Sequence, residues 1–175
     1  MRKVLLALFL SVFAVPLFAE ALTPESIEKM STKDIEKNLP DSNPGAYFSY
    51  AARLFKANKH DRATMWFYVG QIRYRARVLA HPENAADAAQ FASLNKSFTQ
   101  PITDWAGSDV RRWSRLIDEA LAWDANNPNN DTAKDTYAAQ LQQARAEVTK
   151  TRDDILKNEA AIKADRAARG IVDSN

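Results

Sequence analysis

Residues 63–79 read Ala-Thr-Met-Trp-Phe-Tyr-Val-Gly-Gln-Ile-Arg-Tyr-Arg-Ala-Arg-Val-Leu, and the fold is decided there. The run is too long for an ordinary strand and holds no proline. Ala63, Phe67, Gly70, Tyr74 and Val78 recur at helical spacing on one face. Met65, Tyr68, Ile72 and Leu79 form a second apolar face, with Trp66 and Val69 between them. A helix that is apolar nearly all round is covered by neighbours on several sides. Ala63 and Gly70 are small where another helix is expected to cross. The spacing therefore predicts an all-α protein organised around this helix.

Upstream, the pattern predicts a helix over residues 45–57, with Tyr47, Tyr50, Ala51, Leu54 and Phe55 on its apolar face. Asn58-Lys59-His60-Asp61 is a tight turn, and Asp61 is expected to cap the next helix. So short a connection predicts antiparallel neighbours, a helical hairpin over 45–79. Leu39-Pro40-Asp41-Ser42-Asn43-Pro44 is a break rich in turn residues. Before it, residues 22–43 read as a mobile or loosely packed arm with short helices started by Thr23-Pro24-Glu25 and by Ser31 and Thr32.

Tyr47, Tyr50, Ala51, Leu54, Ala63, Phe67 and Gly70 alternate large and small along the hairpin, which resembles one tetratricopeptide or Sel1-like repeat. Asn58 stands where that repeat has a turn glycine, and Arg75 where it has a closing proline. Residues 116–124, followed by Asn127-Pro128-Asn129, resemble the closing half of a second repeat. The offset between the two is about 50 residues, against a period of 34 in tetratricopeptide arrays, so a regular solenoid is not expected. The resemblance implies helical hairpins and protein binding. It names no ligand.

The rest of the chain also reads as helix. Residues 83–98 are alanine-rich, with Phe91, Leu94 and Phe98 facing inward, and Gln100-Pro101-Ile102 is expected to interrupt them. Gly107-Ser108-Asp109 leads into a helix carrying Val110, Trp113, Leu116, Ile117, Ala120 and Leu121. Residues 126–131 form a polar loop. Leu141, Val148, Ile155 and Ile162 recur every seven residues, which predicts one long helix over 133–168 with an exposed second half and Gly170 as its stop. Residues 44–170 are thus expected to be a single all-α domain, with 171–175 as a tail.

The N-terminus points to export. Arg2 and Lys3 precede an apolar run over residues 4–15, Pro16 breaks it, and Ala19-Glu20-Ala21 fits a cleavage site. This is the pattern of a secretory signal peptide, residues 1–21, cut after Ala21 or Ala19. About a dozen apolar residues are too few to span a bilayer. No transmembrane segment is expected after cleavage, and the localisation is periplasmic or secreted. The absence of cysteine excludes disulfides, thiolate metal sites and Cys nucleophiles. The net charge of +2 matches Arg2 and Lys3, so the mature chain is near neutral and lacks a nucleic-acid footprint.

Candidate chemistry is sparse. His60 and His81 are the only imidazoles, both at expected helix ends, and no Ser sits in a nucleophile elbow. Asp124, Asn126, Asn130, Thr132 and Asp135 fall at ligand positions of a calcium loop. Pro128, Asn129 and Asp135 spoil that pattern, which favours a plain loop. No cofactor or metal is expected. The pairs Asp118/Glu119 and Asp153/Asp154 do not face each other on a helix, where neighbours point about 100° apart. Arg73 and Arg77 share a face and are expected to pair with carboxylates, Asp104, Asp109 and Glu119 being candidates. A recognition surface for an anionic partner is the alternative.

The function expected is a non-catalytic periplasmic module that binds another protein, with neutralisation of a delivered toxin as a specific role. Arg73, Arg77, Trp105 and Trp113 are the candidate partner-binding residues, since aromatic and Arg side chains anchor interfaces. The alternatives are a cell-envelope enzyme or glycan-binding protein, and a periplasmic chaperone or adaptor.

Overall fold

The computed structural model describes residues 22–171. The expected signal peptide and residues 172–175 lie outside the described residues. The helices are α1 (Pro24–Lys29), α2 (Thr32–Asn38), α3 (Gly45–Lys56) and α4 (His60–Ala80), followed by α5 (Ala85–Ala106), α6 (Val110–Asn126), α7 (Ala138–Lys157) and α8 (Glu159–Ala168). A 3-10 turn over Leu39–Asp41 follows α2. No strand occurs among the described residues, so the protein is all-α.

The α3–α4 hairpin is present. Its turn is closed by Asn58 at φ +57°, in the left-handed region that Asn enters more readily than most residues. The backbone then folds back so that the Lys59 N–H donates to the Leu54 carbonyl at 2.9 Å. Asp61 lies inside the first turn and does not cap; Lys59 holds the N-cap position.

Helix α4 packs against α3, α5, α6 and α7, so the expected central helix is central. Along its length Thr64, Gln71 and Arg73 are buried with the apolar residues. Gly70 seats against α3, where an added Cβ would lie 2.9 Å from Phe48 Cε2 and 3.1 Å from Tyr47 Cβ. Phe48 is itself held edge-on by Phe67, Tyr74 and Phe91, with ring centroids 5.7, 6.3 and 6.4 Å away. Successive helices α3 to α7 run up and down. As a result α4 and α6 are parallel, which brings Asp61 to Arg112 at one end and Arg73 to Asp124 at the other.

Several expectations are corrected. The 22–43 segment is not a loose arm. Ile27, Ile35 and Leu39 are buried in the common core. Polar ties reinforce them: Arg53 Nη1 donates to the carbonyls of Ile27 and Met30, the latter at 2.7 Å. The Tyr47 hydroxyl donates to the Leu39 carbonyl at 2.8 Å.

Pro101 does not interrupt α5, which runs on to Ala106. An internal proline removes a backbone hydrogen bond and costs about 3 kcal/mol, but Ile102 and Ala106 beyond it are buried and hold the last turn down. The expected long C-terminal helix starts only at Ala138 and breaks at Asn158 (φ −105°, ψ 20°). Its second half is not wholly exposed. Helix α8 reaches α5, where Ile162 and Arg166 approach Gly107, and Arg169 pairs with Asp104 at 2.6 Å. Among the described residues no helix is long and apolar enough to cross a membrane.

Candidate functional site

Arg73 and Asp124 meet in the interior, both essentially without solvent exposure. Arg73 Nε donates to Asp124 Oδ1 at 2.9 Å, Nη1 to the Tyr47 hydroxyl at 2.6 Å and Nη2 to the Asn127 carbonyl at 3.3 Å. Its guanidinium lies 4.8 Å from the Trp123 ring centroid. Arg145 Nε donates to the second carboxylate oxygen of Asp124 at 2.7 Å. Lys134 Nζ donates to the carbonyls of Asp124 and Ala125 at 2.6 and 2.8 Å. An acid in the last turn of α6 opposes the helix dipole; the three cations around it offset that penalty. Burial lowers the Lys134 pKa against the opposing pull of Asp124, with Arg145 and Arg73 adding to the lowering. Burial also pushes the Tyr47 phenol well above its usual range, so it stays a neutral donor.

This cluster takes Arg73 away from any surface role. Its partner is Asp124, not Asp104, Asp109 or Glu119. Asp104 pairs with Arg169, and Asp109 caps α6 by accepting from the Arg112 N–H at 2.9 Å. Arg77 is half-buried and ties α4 to α5 and to the 127–137 loop, through Asp87 at 2.8 Å and through Asp131. Trp113 is buried, its indole donating to the Tyr68 hydroxyl at 2.9 Å. In the loop read for calcium, Asp124 and Asp131 accept from arginines. Among the described residues no cluster of His, Asp and Glu is arranged to hold a metal.

Trp105 is the remaining candidate, and it does reach the surface. It closes a stack at one end of the bundle. Phe55 and His60 lie 4.4 Å apart, His60 and Trp105 5.2 Å, and the Arg112 guanidinium lies 4.2 Å from the Trp105 ring centroid. A cleft of about 350 Å³ opens beside it, walled by Asn58, Lys59, His60, Asp61, Arg62 and Trp105. Asp61 and Arg62 also border a second cleft of about 290 Å³ between α4 and α6. Its floor is Met65, Trp66, Leu116 and Trp123, and Glu36 and Glu119 stand at its rim. The Trp66 and Trp123 rings meet at 4.7 Å. Glu36 is held by Arg62 and by the Tyr50 hydroxyl, which donates to it at 2.6 Å. The two clefts meet at Asp61 and Arg62, the first at the α3–α4 turn beside the end of α5 and the second, the α4–α6 groove, over the seam of those helices.

Sequence reasoning missed most of this groove. The available signal was the recurrence of Leu116, Glu119 and Trp123 at i, i+3 and i+7, which puts them on one helix face. His60 and His81 sit at opposite ends of α4, and 21 residues at 1.5 Å rise separate them by roughly 30 Å, too far to share one reaction. Comparison with protein families, curated proteins and solved structures gave no match to this chain.

Proposed function

We propose that this chain is an exported, non-catalytic module that binds another protein along the α4–α6 groove. The observation that carries the reading is the make-up of the two clefts. Trp105, with Arg112 over its ring, walls the first, Met65 and Trp123 line the second, and Trp, Arg and Met are enriched where interfaces concentrate their energy. Trp105 is already held between His60 and Arg112, so little side-chain entropy is lost when a partner covers it. The signal-peptide pattern of residues 1–21 supports a periplasmic setting. The resemblance of the hairpin to tetratricopeptide and Sel1-like repeats supports an adaptor or an immunity protein that occludes the surface of a delivered toxin.

Mature protein used as bait in an envelope extract is expected to retain one stoichiometric partner. Trp105→Ala should weaken that complex by about 2 kcal/mol, roughly thirtyfold in Kd, while far-UV circular dichroism stays unchanged. Turnover of peptidoglycan by pure protein would overturn the non-catalytic reading. Equal affinity in the Trp105→Ala variant would remove the groove from it.

A further inference from the structure

A third recess, of about 330 Å³, lies over α4 between α5 and α7 and shares no residue with the α4–α6 groove. Helix α5 has one face in the core and a second, partly exposed, along the recess. Phe91, Phe98 and Ile102 pack into the core, while Asn95, Thr99 and Thr103 recur every four residues along the recess. Gln71 and Arg75, one turn apart on α4, face them, and Tyr68 and Trp113 make the floor.

The polar groups are only partly used. Gln71, which is 8% exposed, donates its amide to the Asn95 carbonyl oxygen. That bond leaves the Gln71 oxygen as an acceptor and the Asn95 amide as a donor, each with no partner among the described residues. Hydroxyls satisfy both, since each can donate and accept. The Thr99 hydroxyl is likewise without a protein partner among the described residues. The Tyr68 hydroxyl accepts from Trp113, and its own proton has no acceptor among the described residues.

Charge in the recess is already neutralised. Arg75 pairs with Glu147 at 2.9 Å and lies 5.6 Å from the Phe91 ring centroid. A site of amides and hydroxyls, with its one cation paired and Tyr68 and Trp113 only 5% exposed beneath it, matches a ligand that is uncharged and rich in hydroxyls. The volume falls at the low end of the ~300–1,000 Å³ usual for small-ligand sites, enough for one or two sugar rings.

We propose that this recess is a binding site for a neutral saccharide of one or two rings. The test is titration of isotope-labelled mature protein with cellobiose and N,N′-diacetylchitobiose, followed by NMR, with glucuronate and inorganic phosphate as charged controls. A neutral sugar is expected to shift the Gln71 and Asn95 side-chain amides and the Trp113 indole N–H saturably. Asn95→Ala should weaken binding about tenfold, the loss of a hydrogen bond or two. Thr99→Val keeps the side-chain shape on the exposed side of α5 and should weaken it in the same direction if Asn95→Ala disturbs the helix. The proposal fails if neither neutral sugar produces saturable shifts up to about 50 mM, well above the millimolar range of weak ligands. It fails equally if phosphate or glucuronate saturates the recess in their place, or if both variants bind as wild type does.

Discussion

Asp124→Asn is expected to destabilise the fold by about 3–5 kcal/mol, because it leaves the buried Arg73 charge without its counter-ion. Both carboxylate oxygens are in use, one by Arg73 and one by Arg145. An asparagine keeps one acceptor but turns its NH2 toward a guanidinium. A domain of this size is stable by roughly 5–15 kcal/mol, so the loss removes a large fraction of the total. At about 2–4 °C per kcal/mol, the melting temperature should fall by roughly 6–20 °C. Replacing both partners, Arg73→Met with Asp124→Leu, should recover much of the loss, since the fully buried pair is removed and only the partly exposed Arg145 loses its carboxylate. A loss under about 1 kcal/mol in urea titration of Asp124→Asn would mean that water or another group already screens Arg73.

The second large effect is expected from Gly70→Leu. The first added atom is already too close to Phe48, and Phe48 cannot swing away because Phe67, Tyr74 and Phe91 surround it. Overpacking of this kind costs typically 1–3 kcal/mol, and the encircled ring puts this site at the upper end. Gly70→Ala is a sharper probe. Its helix propensity gain of about 1 kcal/mol only partly offsets a 2.9 Å contact that the encircled Phe48 cannot relieve, so it should be destabilised, though less than the Leu variant. The Leu variant should melt roughly 6–12 °C lower, at about 2–4 °C per kcal/mol. Wild-type melting of the Leu variant would show that α3 and α4 are not pressed together at this point.

What could be read from the sequence was local. The period of residues 63–79, the short turn at Asn58 and the helix start after Gly107-Ser108-Asp109 each lie within one or two helical turns, and each is present. Arg73 was legible as a cation in need of an acid, but the choice of acid depends on how α4 and α6 slide past each other. That register is set by packing, and it selects Asp124, 51 positions away. Asp124 itself looked like part of a loop because it stands at the last turn of its helix.

Residues 22–43 misled for another reason. Ile27, Ile35 and Leu39 are too sparse to show a period, and much of what fixes the segment is backbone carbonyls that accept from Arg53 and Tyr47. The break at Asn158 was hidden because Leu141, Val148, Ile155 and Ile162 keep their seven-residue step across it. For the α4–α6 groove, the aromatics were visible but their exposure was not. Trp113 and Trp105 are alike on paper; one is sealed against Tyr68 and the other closes a surface stack.

The covering of α4 on every side has a consequence for how its amide protons meet solvent. Exchange at α4 requires α3, α5, α6 and α7 to part, which amounts to opening the whole molecule. Among the described residues helix α8 rests chiefly on α7 and the end of α5, so its amides can exchange through a local detachment that leaves the rest intact. Hydrogen–deuterium exchange should therefore find the slowest amides in α4 and much faster ones beyond Asn158. A denaturant too dilute to unfold the protein should speed the second group while leaving α4 slowest.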